Sequence, residues 1–117
     1  MAVTVVEEAT GTLTTDGTEQ TLFTEEDAGV FFVRLDLNDI QAGATPEMIE
    51  VYEYISAQSA STQRLMEGSP MSYVGGLCPK IVELPHRSIP ANASYAVKIK
   101  STGSVHPDIV WAELEVG

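Results

Sequence analysis

Apolar and polar residues alternate along most of this chain. From Val30 to Leu37, Phe31, Val33, Leu35 and Leu37 hold one parity and Phe32, Arg34 and Asp36 the other. That period of two is the pattern of a strand with one face on a core. Tyr95, Val97 and Ile99 alternate as cleanly with Ala96, Lys98 and Lys100. Over Glu47 to Ile55, Ile49, Val51 and Ile55 oppose Met48, Tyr52 and Tyr54. A helix starting at Pro46 with Thr45 as its cap is the rival there, and the alternation fits a strand better. Val3 to Thr15 reads as a strand rich in Val and Thr, with Gly11 as a bend or bulge. Asp16-Gly17 then stands before Thr18 to Thr24, a strong hairpin signal. Shorter strands are predicted over Thr62 to Glu67, at Tyr73-Val74 and over Lys80 to Leu84, and a closing strand over Ile109 to Val116. Asn38 to Pro46 reads as a loop, Ser56 to Ser61 as a small polar tip, and Pro85 to Asn92, with two prolines, as irregular.

Eight or nine short strands at such spacings predict an all-β fold, an antiparallel β-sandwich or jelly roll of about eight strands. The length of 117 residues suits one domain over 1–117, with residues 1–8 as an N-terminal arm. The last strand is awkward, because it is apolar on both faces: Val110, Ala112, Leu114 and Val116 on one, Ile109 and Trp111 on the other. Phe32 raises the same question on its strand, as do Met48, Tyr52 and Tyr54 on theirs. A strand apolar on both faces is covered on both sides. Either loops of the same chain supply the second cover, or another subunit does. In the second case Val3, Val5, Phe32, Tyr52, Tyr54 and Trp111 are the interface candidates.

Charge narrows the function classes. Seventeen acidic residues oppose six basic ones, for a net charge of −11. Direct nucleic-acid binding needs clustered Lys and Arg and is not expected; solubility and docking on a basic surface are both compatible with the excess. No apolar run approaches the ~20 residues of a membrane helix, and the N-terminus lacks the basic region of a secretory signal, so neither a membrane nor export is expected. The single cysteine, Cys78, cannot form an intramolecular disulfide and is expected as a buried thiol.

Catalytic chemistry is not legible. His86 and His106 fall in predicted loops without partners at metal-ligand spacing. No nucleophile elbow, phosphate loop or dinucleotide fingerprint occurs. Glu113 and Glu115 alternate with Ala112, Leu114 and Val116 and are expected on a solvated face, while Glu47, Glu50 and Glu53 share one segment without the pattern of a catalytic pair. Glu25, Glu26 and Asp27 could offer oxygen ligands to calcium, with a spacing that matches no EF-hand loop. The Asn92-Ala93-Ser94 triplet is read as chance. No catalytic, cofactor or metal-binding residue is assigned, and an enzyme is not expected.

One stretch carries a resemblance. Gly11-Thr12-Leu13-Thr14-Thr15-Asp16-Gly17-Thr18-Glu19-Gln20-Thr21-Leu22, then Asp27-Ala28-Gly29-Val30, Leu35 to Gly43 and the Glu47 to Glu53 strand, resembles small β-sandwich structural proteins of tailed phages and related viruses. The closing Ile109 to Leu114 is similar to that family's terminal aromatic strand, whereas Ser56 to Asn92 departs from it. The resemblance implies a virion protein, with head decoration (cement) as its most concrete form. Such a protein sits on the outer capsid surface, often as a homotrimer, is made in the host cytoplasm, and has the major capsid protein as partner. A tail, neck or spike position is the first alternative. The second is a carbohydrate-binding module with Trp111, Tyr52 and Tyr54 as a stacking platform.

Overall fold

The computed structural model describes residues 4–37, 48–58, 62–75, 79–102 and 106–117. Among them are ten strands and no helix: β1 (Val5–Thr14), β2 (Gln20–Glu25), β3 (Gly29–Asp36), β4 (Met48–Ser56), β5 (Arg64–Leu65), β6 (Met71–Val74), β7 (Ile81–Glu83), β8 (Arg87–Ile89), β9 (Ser94–Ser101) and β10 (Asp108–Val116). They form two five-stranded antiparallel sheets. The first runs β1-β10-β3, with β7 and β8 both on the far side of β3. The second runs β2-β9-β4, with β5 and β6 both on the far side of β4. Each sheet therefore ends on one side in a continuous strand and on the other in two short pieces.

The alternation seen in the sequence decides which residues meet. Phe31, Val33 and Leu35 of β3 and Ile109 of β10 join Ile49 and Val51 of β4 and Tyr95, Val97 and Ile99 of β9 in one buried cluster, so the two sheets share a core, consistent with a β-sandwich. Burying one such side chain fully contributes about 1.5–3 kcal/mol. The segment read as strand rather than helix, β4, pairs with β9 over its whole described length from Ile49 opposite Ser101 to Ser56 opposite Ser94.

Three expectations are corrected. Asp16-Gly17 does not close a hairpin: β1 pairs with β10 and β2 with β9, in different sheets. The turn is still built as its residues dictate. Gly17 has φ 84°, and Asp16 Oδ1 accepts hydrogen bonds from Thr18 N at 2.9 Å and Thr18 Oγ1. Its ends, however, are tied to the β9–β10 connection, with Thr15 Oγ1 donating to the Pro107 carbonyl at 2.8 Å and Gly17 N to Ser101 Oγ at 3.1 Å. Long-range pairing thus overrides the local signal. Second, the segment read as irregular between its prolines holds β8, whose Arg87, Ser88 and Ile89 pair with Phe31, Val30 and Gly29; both prolines lie outside those three residues, where no ladder amide is lost. Third, the strand count is ten among the described residues rather than about eight.

Val5 to Glu8, read as an arm, begin β1 and pair with the end of β10, and Thr4 and Gly117 bond each other's backbones. Val3, the Asn38 to Pro46 loop and Cys78 lie outside the described residues.

On β10 the inward parity is that of Ile109 and Trp111. The indole packs on the core and stacks on Phe23 of β2, ring centres 5.6 Å apart. Gly11, opposite Trp111, leaves room for it: a Cβ there would stand 3.0 Å from the indole nitrogen. Gly11→Val should therefore lower unfolding stability by about 1–3 kcal/mol through overpacking. Denaturant unfolding followed by tryptophan emission checks this, and an unchanged midpoint would show that the ring is not held against β1.

Candidate functional site

Two surfaces and one interior network are candidates. On the outward face of the first sheet, register lines up two rows. Thr12, Val110, Asp36 and Ile81 form one, and Thr10, Ala112, Arg34 and Glu83 the next. Val110, on the inner strand β10, is 49% exposed, an unusual value for an aliphatic residue there, and Ile81 at the sheet margin is 50% exposed. Between them lies an open groove of about 230 Å³ whose lining includes Glu7, Thr10, Arg34, Asp36, Ile81 and Val110. Arg34 is drawn to one side of it by Glu83, at 2.7 Å in an exposed ion pair. Beyond these rows Phe32 and Leu114 face each other and are buried, and the His86 ring stacks on Phe32 at 4.5 Å. Phe32 is thus covered by a loop residue of its own chain.

On the outward face of the second sheet stand Tyr52 and Tyr54, half-buried. Lys98 Nζ lies 4.9 Å from the centre of the Tyr54 ring, and the Tyr54 hydroxyl donates to Glu19 Oε1 at 2.5 Å. That bond, with burial second, pushes the Tyr54 phenol up to about 12. Burial and the neighbouring Glu50 raise Tyr52 as well. Leu65, 48% exposed, is opposite Tyr54 on β5.

The interface candidates are therefore dispersed. Val5 is exposed on β1 and Phe32 lies under His86, both in the first sheet. Tyr52 and Tyr54 are on the second, and Trp111 is turned inward onto Phe23. The structure does not bring Trp111, Tyr52 and Tyr54 onto one face. His86 and His106 are exposed, with His106 Nδ1 3.4 Å from Ser101 Oγ. In the acidic turn, Glu25 Oε2 accepts the amides of Glu26 and Asp27 at 3.1 Å each. Among the described residues no group of three or more His, Cys, Asp or Glu side chains could hold a metal ion, and no helix is long and apolar enough to cross a membrane.

The interior holds what the sequence reading missed. Glu53 follows Ile49 and Val51 on the inward parity of β4 and is fully buried. Arg87 of β8, in the opposite sheet, grips both its oxygens, Nη2 to Oε1 at 2.6 Å and Nε to Oε2 at 3.0 Å. The Tyr95 hydroxyl of β9 donates to Oε2 as well. Burial, then the Glu53 charge, drives the Tyr95 phenol far above its ordinary value, and the bond to Glu53 raises the Arg87 guanidinium. A further correction concerns Glu113, expected on a solvated face and found 4% exposed on the inward parity of β10. In both cases the available signal was an acidic residue at an apolar parity.

No family model, curated protein or solved structure matches the chain.

The buried and exposed ion pairs should differ sharply on truncation. Glu53→Ala leaves a guanidinium and a hydroxyl unpaired in the interior and should cost about 3–5 kcal/mol. Arg34→Ala, in the exposed pair with Glu83, should cost no more than about 1 kcal/mol. Equal losses in urea unfolding would sink the assignment of Glu53 as the tie between the sheets.

Proposed function

We propose that the chain is a structural protein of a virion, a head decoration protein that binds the outer capsid surface through the outward face of its first sheet. This reading takes the fold to be a jelly roll. With β5 and β6 taken as one interrupted strand and β7 and β8 as another, the sheets read 1-8-3-6 and 2-7-4-5 in chain order. That is the alternation of two Greek keys, an architecture found in capsid and lectin domains. Fold alone does not assign a role. The observation that carries the proposal is the pair of half-exposed aliphatic residues, Val110 and Ile81, across a groove beside a strand, β1, that pairs only with β10 among the described residues. An edge strand next to an apolar groove suits addition of an extended partner segment. Its backbone bonds supply affinity and the groove selects side chains. The turn-and-strand motifs over Gly11 to Gly43 and Glu47 to Glu53 point to the same class. The partner is then the major capsid protein, and a homotrimer is the favoured assembly.

Quantitative mass spectrometry of purified particles tests the role: a decoration protein is present at about one copy per major shell subunit. A few copies per particle would favour a tail, neck or spike position, and absence from particles would overturn the reading. The docking face is tested with Val110→Glu and Ile81→Glu together. Exposed positions of this kind change stability by no more than about 0.5 kcal/mol each. Binding to bare shells should weaken at least about tenfold, or 1.4 kcal/mol. Unchanged occupancy would place docking elsewhere.

A further inference from the structure

Two acidic side chains, one buried and one half-buried, meet at the end of the molecule where β1, β2 and β10 come together. Glu113 of β10 is 4% exposed, and its Oε2 has no hydrogen-bond partner. Glu25, the half-buried last residue of β2, faces it from the other sheet, close enough to act on its carboxyl. Glu25 Oε2 already accepts the amides of Glu26 and Asp27.

The surroundings are uniformly acidic. Glu8, at the bulge of β1, and Glu115, further along β10, add their charges to Glu113, Glu115 also acts on Glu8, and Asp27 acts on Glu8 from the turn. On β3 the residue opposite Glu113 is Val33. On β9 the residue opposite Glu25 is Tyr95, whose hydroxyl is given to Glu53. Arg87 of β8 has its guanidinium on Glu53. Nor do the described carboxylates converge in a set that could hold a metal ion. A carboxylate buried beside another carboxylate holds its proton more tightly than one in water.

We propose that the Glu113–Glu25 pair is a proton-operated latch between the sheets. The Glu113 carboxyl carries a proton and donates it in a hydrogen bond to Glu25, and loss of that proton parts β10 from β2 at this end. Burial first, then the bond to Glu25 and the charges of Glu25, Glu8 and Glu115, push Glu113 from 4.5 up to about 8. The folded chain therefore holds a proton that the unfolded chain releases near pH 4.5. Stability contributed by the latch is whole below that value, falls as pH rises from about 4.5 to about 8, and is flat above.

Thermal melts of the intact chain across this range, followed by Trp111 emission, test the latch. Trp111 is the only tryptophan and stacks on Phe23, two residues before Glu25. The melting temperature of the native chain should fall from mildly acid to mildly alkaline pH. Glu113→Gln keeps a donor that cannot ionise, so its profile should be flatter and should lie above the native one in alkali. Every other ionisable group is common to both chains, so the difference isolates the pair. Parallel profiles would overturn the proposal. So would added calcium ion raising the alkaline melting temperature of the native chain but not of Glu113→Gln, which would make the ligand a cation rather than a proton. Should Glu113→Gln fail to fold, carbon-13 titration of the native glutamate carboxyls decides: one signal titrating at about 8 upholds the latch, and none titrating above about 6 refutes it.

Discussion

A carboxylate without water must be matched by the protein, and Glu53 is the point where this chain meets that demand. Its two oxygens take up both arms of Arg87 and the Tyr95 hydroxyl, so three strands from two sheets converge on one charge. Hydrophobic contact brings the sheets together without fixing their relative offset, because apolar side chains tolerate sliding. A bidentate guanidinium pair does not tolerate it. The three-residue strand β8 owes its place to this pair as much as to its ladder with β3. The backbone of Glu53 is held too, since its carbonyl accepts the Met66 amide at 2.8 Å and its amide donates to Ser69 Oγ at 3.1 Å. The segment joining β5 to β6 is thereby fastened to the same residue.

How much of this was legible beforehand depends on whether the information is local. Alternation is local, and the inward sets of β3, β4 and β9 follow directly from it. So does the strand character of Met48–Ser56 against a helical rival. Strand pairing is not local. Asp16-Gly17 builds the tight turn its residues encode, but whether the flanking strands pair with each other depends on Pro107 and Ser101, some ninety residues away. β8 was hidden by the prolines that bracket it. The two inward acids are less legible: Glu113 sits at an apolar parity but reads as solvated because it alternates with Ala112 and Leu114, and nothing local sets Glu53 apart from Glu47 and Glu50 until Arg87 and Tyr95 are brought to it.

The same parity argument explains the ambiguity of β10. Both its faces are apolar because both are covered over part of their length: Ile109 and Trp111 by the second sheet, Leu114 by Phe32 and the His86 ring behind it. The cover stops before Val110, and that gap is what makes the outward face of the first sheet a docking candidate. Of the aromatic residues, Trp111 and Phe32 do packing work, while Tyr52 and Tyr54 stand apart on the other sheet among Glu19, Glu50 and Lys98.

The interrupted margins of the sheets limit how copies can add to one another. Each sheet has one continuous border, β1 or β2, and one broken into two short pieces, β7 with β8 or β5 with β6. Endless stacking of strands needs two long compatible borders on every copy, one to receive and one to offer. Here a segment can be received along β1, but the opposite margin offers no matching run. Within either sheet, strand addition at the continuous border therefore does not propagate to the other margin, because the chain breaks there into two short pieces.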